Sequence, residues 1–197
     1  MTKEIRLDGI RLGYGISGSF CTFGRSFDAA VRLKSLGAEL VPVMSFNAAN
    51  LSTRFGKAQD NVAHIEEIAG RKAILTIEDA EPIGPKKMCD IMAVAPCTAN
   101  TIAKLALGIT DTPLTMAVKS HLRNNRPVVI AISTNDALAA CAKNIGMLQN
   151  LRNYYFVPYS QDDSVNKPNS AVADFSLLPE TIAAALDGRQ LQPMLRY

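Results

Sequence analysis

Short apolar runs alternate along the chain with longer stretches in which apolar positions recur every three or four residues. The first kind predicts strands buried on both faces, and the second predicts the helices that cover them. Residues 10–16 read as a strand. Residues 21–36 read as a helix with Phe23, Phe27, Ala30, Val31 and Leu33 on its apolar side and Gly37 as its stop. A second strand is expected over 38–44, then a helix over 52–69 with Phe55, Val62, Ile65 and Ile68 facing inward and Gly70 closing it, then a short strand over 73–77. Residues 90–95 predict a buried strand, followed by helices over 99–107 and 113–123. The pattern repeats with a strand over 127–132, a helix over 136–151, a short strand over 154–158 and a last helix over 179–186. Strands that alternate with helices pair in parallel through right-handed crossovers. The expected fold class is therefore α/β, a doubly wound three-layer α/β/α arrangement with a mainly parallel sheet, Rossmann-like or flavodoxin-like. Ligands of such folds bind beyond the carboxyl ends of the strands, where the loops after Ile16, Met44, Ala95 and Ile132 would meet.

Composition narrows the choices. A chain of 197 residues that is 48% hydrophobic can bury one substantial core, so residues 1–197 are expected to form a single domain with a C-terminal extension from about 160. The net charge of +3 comes from Lys and Arg scattered along the chain, with no basic block or aromatic ladder. That pattern excludes a nucleic-acid surface and leaves acidic small molecules as ligands. Cys21, Cys89, Cys97 and Cys141 form no C-x-x-C pair, which speaks against zinc or a disulfide framework and for a reducing, cytoplasmic setting. The opening MTKEIRLDGI carries charge where a signal peptide would be apolar, and no run approaches the roughly 18 apolar residues of a membrane span.

Gly13-x-Gly15-x-x-Gly18 follows the first strand and spells a dinucleotide fingerprint. The rest of that device is missing: the second strand ends Val43-Met44-Ser45, with no carboxylate for ribose hydroxyls, and Glu39 stands at the strand's start. What the residues support is an anion site, with Gly15, Gly18 and Ser19 at a helix N-terminus where free N–H groups favour a phosphate. A tight turn without a ligand would read much the same.

The segment PCTANTIAKLALGITD, residues 96–111, offers small and hydroxyl side chains at a strand end and an Asn at the start of a helix, although Thr98 can simply cap that helix. It resembles the PASANT segment of the flavin mononucleotide-binding cysteine decarboxylase family, whose phosphate loop is matched by Gly18-Ser19-Phe20 and whose flavin turn is roughly matched by Ser45-Phe46-Asn47. The resemblance implies an FMN site, or a phosphate at the same place, built from Gly15, Gly18, Ser19, Phe20, Ser45, Asn47, Thr98, Ala99 and Thr101, with Asn100 facing the substrate. The catalytic His of the family's decarboxylases has Pro82 in its place. His64 lies on a helix further upstream, and only Asn135 survives of the family's substrate clamp. The decarboxylation machinery is therefore not expected, and the catalytic group stays unassigned.

A non-decarboxylating branch of the family is similar over nearly the whole chain, in GISGSFCTF, RNNRPVVIAISTNDAL and PYSQDDSVNKPNS among other stretches. That resemblance implies one component of a two-chain, NADP-dependent oxidoreductase in a sporulating bacterium. Its small dicarboxylate substrate would be held by Asn100, Asn135, Lys167 and Arg54. NADP would sit on the partner chain, and this chain would form a homo-oligomer, a trimer or a multiple of trimers. Residues 160–170 have the composition of a mobile lid, a surface loop or a subunit contact. A flavin-free accessory role and an independent flavin enzyme of another reaction are the alternatives.

Overall fold

The computed structural model describes residues 5–196. Five strands run parallel: β1 (Arg11–Ile16), β2 (Glu39–Met44), β3 (Ile91–Cys97), β4 (Val128–Thr134) and β5 (Tyr154–Phe156). Their order across the sheet is β2-β1-β3-β4-β5, which is the flavodoxin-like doubly wound order. The topological switch lies between β1 and β3. Residues 12–16 of β1, and all of β3, are buried, as strands covered on both faces must be.

Two helical layers supply that cover. On one side lie α1 (Phe23–Ser35), α3 (Ala58–Ala69) and α8 (Leu178–Leu186), with α1 against α3 and α8 against β3, β4 and β5. On the other, α4 (Ile77–Ala80), α6 (Pro113–Leu122), α5 (Ala99–Leu107) and α7 (Ala142–Asn150) form a continuous row of contacts. A five-residue helix, α2 (Phe46–Asn50), follows β2 directly. Local chemistry sets the ends: Gly70 and Gly108 close α3 and α5 with φ of +70°, and Thr112 and Thr115 form a capping box ahead of α6 with Pro113 in its first turn.

Several expectations shift. The helix predicted from residue 52 begins at Ala58. Residues 51–57 instead form a loop in which Thr53 and Gly56 pair and the Ser52 hydroxyl accepts from the Ala58 N–H. Phe55, expected to face inward, is 52% exposed. The strand predicted over 73–77 reduces to one bridge between Ile74 and Val43, and Ile77 already opens α4. The helix expected from 136 starts at Ala142, because residues 136–141 are turns, and Cys141 is buried at its N-cap rather than mid-helix. The sheet also has an antiparallel addition: β6 (Tyr159–Ser160) pairs β7 (Ala171–Ala173), and β7 pairs the end of β4 with Val172 opposite Ser133. No helix among the described residues is long and apolar enough to cross a membrane.

Candidate functional site

The carboxyl ends of β1, β2, β3 and β4 converge as expected, and one buried side chain fastens them at the switch point. The Ser17 hydroxyl donates to the Pro96 carbonyl at 2.8 Å and accepts from the Thr98 N–H at 2.9 Å. The loop after β1 is thus tied to the first residue past β3. Thr98 is the N-cap of α5, its hydroxyl accepting from the Thr101 N–H. Ser45 plays the same part for α2, accepting from the Ala48 N–H at 3.3 Å.

Two adjoining cavities open here. The larger, about 510 Å³, is lined by Gly18, Ser19 and Phe20 of the first loop, Thr98, Ala99 and Asn100 of the third, and Ser133 and Asn135 of the fourth. Arg54, Phe55, Asp162 and Lys167 also line it. The smaller, about 380 Å³, is lined by Gly18, Ser45, Asn47, Thr98, Asn100 and Thr101, with Lys104 and Asp111 behind them. Both volumes fall within the range of small-molecule sites. Gly18, Thr98 and Asn100 belong to both walls.

Of the residues expected to hold cofactor or substrate, all except Gly15 line one of these cavities. Gly15 lies inside β1, where a Cβ would come within 2.4 Å of Leu114 Cδ1; at Gly13 a Cβ would come within 2.7 Å of Met92 Cγ. The first two glycines of the apparent fingerprint serve the packing of the sheet against its neighbours. Gly18 alone stands in the loop.

The polar groups of that loop form a chain. The Ser19 N–H donates back to the Ser17 carbonyl at 2.8 Å, whereas the Gly18 N–H has no acceptor among the described residues. Thr22 commits its hydroxyl hydrogen to the Ser19 carbonyl at 2.9 Å. The Ser133 hydroxyl, 3.1 Å away, therefore donates to Thr22, and Ser19 donates to Ser133 at 2.8 Å. Ser133 is a site residue that sequence reasoning missed, because it stands 114 residues from Ser19 in the chain.

Charges around the site are few. Lys104 holds Asp111 through two bonds of 2.8 and 2.9 Å, and this contact lowers the Asp111 pKa. Lys167 lies 3.5 Å from Asp162. Arg54 has no carboxylate partner among the described residues and stacks on Phe55, 4.9 Å from the ring centroid. Residues 160–170 link β6 to β7 and are tied down along their length: Gln161 donates to the Pro168 carbonyl, the Asp163 carboxylate accepts from the Asn166 N–H, and the Ser170 hydroxyl donates to the Thr134 carbonyl.

Neither histidine reaches the cavities. His64 packs edge-on against Phe27 with ring centroids 4.8 Å apart. His121 is fully buried on α6 with its Nε2 3.1 Å from the Pro127 carbonyl, and burial pushes its pKa down to about 4. Pro82 sits in a single 3-10 turn, Glu81–Ile83, packed against α6. Among the described residues no group of three or more His, Cys, Asp or Glu is placed to hold a metal ion.

The Flavoprotein family model matches residues 2–184. Among curated proteins the chain is 48% identical, over 96% of its length and 94% of the relative's, to the B subunit of dipicolinate synthase from Bacillus subtilis (strain 168). Among solved structures it superimposes on the dipicolinate synthase B subunit from Bacillus halodurans C with a TM-score of 0.90 at 40% identity, covering 98% of this chain and 99% of that one. The FMN-dependent cysteine decarboxylase SpaF follows at a TM-score of 0.69 and 26% identity, covering 91% and 98%.

Proposed function

Since the chain belongs to the Flavoprotein family, we propose that it acts as the B subunit of a dipicolinate synthase. In this reading it supplies the pocket in which a dihydrodipicolinate is oxidised to dipicolinate in the cytoplasm of a sporulating cell, while an A subunit supplies NADP. The observation that carries it is the shared wall of Gly18, Thr98 and Asn100 between two cavities. The smaller cavity is bordered by hydroxyls and amides suited to a flavin ring, and the larger by Gly18 and Ser19, suited to its phosphate, and by Arg54, Lys167 and Asn135, suited to a dicarboxylate. The 48% identity to the B. subtilis protein supports the choice of substrate.

The residues fit flavin mononucleotide at the first loop. The Gly18 N–H is free to donate to a phosphate oxygen, and the Ser19 hydroxyl reaches one by turning away from Ser133. Ser45, Asn47, Thr98 and Thr101 offer hydroxyl and amide groups to a polar ring. When bound, a flavin would supply an acceptor for a hydride. This chain's own part is to bind and orient: Asn100 and Asn135 donate amide N–H bonds to the substrate's carboxylates, and Arg54 and Lys167 supply the opposing charge. Met44 and Ser45 end β2 without a carboxylate, so NADP belongs on the partner. A homo-oligomer, in trimers or multiples of trimers, completes the reading.

A second reading has its own support. Both the Ser19 N–H and the Ser19 hydroxyl are already engaged within the protein, as expected of a flavin-free accessory chain. Titrating the purified chain with FMN while following the visible flavin bands separates the two. The flavin reading predicts saturable spectral change and about fivefold weaker binding in Ser19→Ala, the equivalent of roughly 1 kcal/mol for one hydrogen bond. No change on adding FMN would contradict it.

A further inference from the structure

We propose that Asp162 accepts the proton released when the substrate ring is oxidised and passes it to solvent through the groove behind it; this rests on the dipicolinate synthase reading above. Aromatising a dihydropyridine breaks two bonds to hydrogen and forms one ring double bond. One hydrogen leaves with its electron pair as hydride and ends on NADP⁺, which becomes NADPH. The other leaves as a proton, its bonding pair becoming the new double bond, so a base must stand at the pocket.

The 510 Å³ cavity restricts that base to few groups. Arg54 and Lys167 are cations and accept nothing. Cys21 lines the wall, but a thiol sulfur is a weak acceptor. Asp162 is the one carboxylate on this wall among the described residues. Asp111, in the neighbouring cavity, is chelated by Lys104 through both carboxylate oxygens, a geometry that holds the anion and opposes protonation. Among the described residues Asp162 has only the 3.5 Å contact with Lys167, which leaves lone pairs free.

Its position is also unusual. Asp162 and Val172 line a second and larger groove, about 780 Å³, between α1 and the β6–β7 hairpin. One carboxylate thus borders both the proposed substrate cavity and an open groove. The charged groups that share its cavity and groove are Lys167 on its own loop, Arg54, and Arg25, Asp28 and Arg32 of α1. Beyond these, Arg196 pairs with Asp174.

The test uses this chain combined with its A subunit, dihydrodipicolinate and NADP. Asp162→Asn is expected to lower kcat by about 10²- to 10⁴-fold, with KM changed little, and to abolish the acid limb of the pH–rate profile. Asp162→Glu should restore part of the rate, and the Asn variant should still bind dipicolinate calorimetrically within about threefold of the unaltered chain. The proposal is overturned if Asp162→Asn keeps its rate and acid limb, or if it loses rate and dipicolinate binding together, which marks a structural role. An unaltered pair that fails to oxidise the substrate refutes the dipicolinate synthase reading itself, and this proposal with it.

Discussion

Ser17 and Thr98 stand 81 positions apart in the chain and 2.9 Å apart in the fold, the Thr98 N–H donating to the Ser17 hydroxyl. Because Ser17 also donates to the Pro96 carbonyl, a single side chain holds both loops of the switch point in register. Ser17→Ala leaves the Thr98 N–H without its acceptor, while the Pro96 carbonyl keeps only the Ser17 N–H at 3.1 Å, at a cost of about 2 kcal/mol. For a chain of this size that is roughly 4–8 °C in Tm, measurable by calorimetry, and ligand binding at the shared wall should weaken with it.

Gly15 makes the opposite kind of prediction. A methyl group there meets buried Leu114 at 2.4 Å, so Gly15→Ala should destabilise by about 1–3 kcal/mol through overpacking. In a denaturant titration Leu114→Ala should therefore cost less in the Gly15→Ala background than on its own. If Gly15→Ala instead left stability alone and weakened phosphate or flavin binding, the glycine would belong to the anion site after all.

Decarboxylation of peptidyl or pantothenoyl cysteines should not occur. Pro82 has no titratable group, and it lies in the turn packed on α6 and lines neither cavity. A positioned general base contributes about 10²- to 10⁴-fold, and a histidine at position 82 would face α6 and not the pocket. Carbon dioxide release from such substrates should therefore stay at background in both the unaltered chain and Pro82→His.

His121 sets part of the pH dependence of stability. Its folded pKa lies near 4, because burial disfavours the imidazolium, against an ordinary value of 6.5. Below 6.5 the unfolded chain binds a proton that the folded chain refuses, so stability falls as pH drops from about 6.5 to about 4. The loss should reach about 3 kcal/mol. Chemical denaturation across that window should show the slope, and His121→Gln should flatten it. Asp90 adds a second, lower step: Arg11 holds its carboxyl below the usual range, so its contribution is present above the unfolded carboxylate pKa and fades as pH falls through the lower folded value.

The alternation of β1 to β5 with their helices was legible because each buried strand is a run of apolar residues and each long helix carries a periodic apolar face. Helix starts were less so. Phe55 fits the period of α3 yet belongs to the loop before it, where it stacks with Arg54. Strands of two and three residues, β6 and β7, are too short to show a period. The Gly-x-Gly-x-x-Gly spelling singled out Gly15, which packs closely inside β1, because glycine required by close packing and glycine required by a phosphate look alike in one sequence. Thr98, Asn100 and Asn135 were singled out through a motif and line the cavities, whereas Ser17, Ser133 and Asp162 reach the same loops by contacts between distant segments that no local pattern announces.

The division of labour between two chains is tested most directly by one rate. NADP-dependent oxidation of dihydrodipicolinate should be measured with this chain alone, with the A subunit of dipicolinate synthase alone, and with the two combined. The chain ends β2 in Met44 and Ser45, with no acid for a ribose. It should therefore show no NADP-dependent turnover by itself and contribute to full turnover when the A subunit is present. Turnover by this chain alone at the rate of the mixture would contradict the account and return Gly13-x-Gly15-x-x-Gly18 to the status of a dinucleotide site.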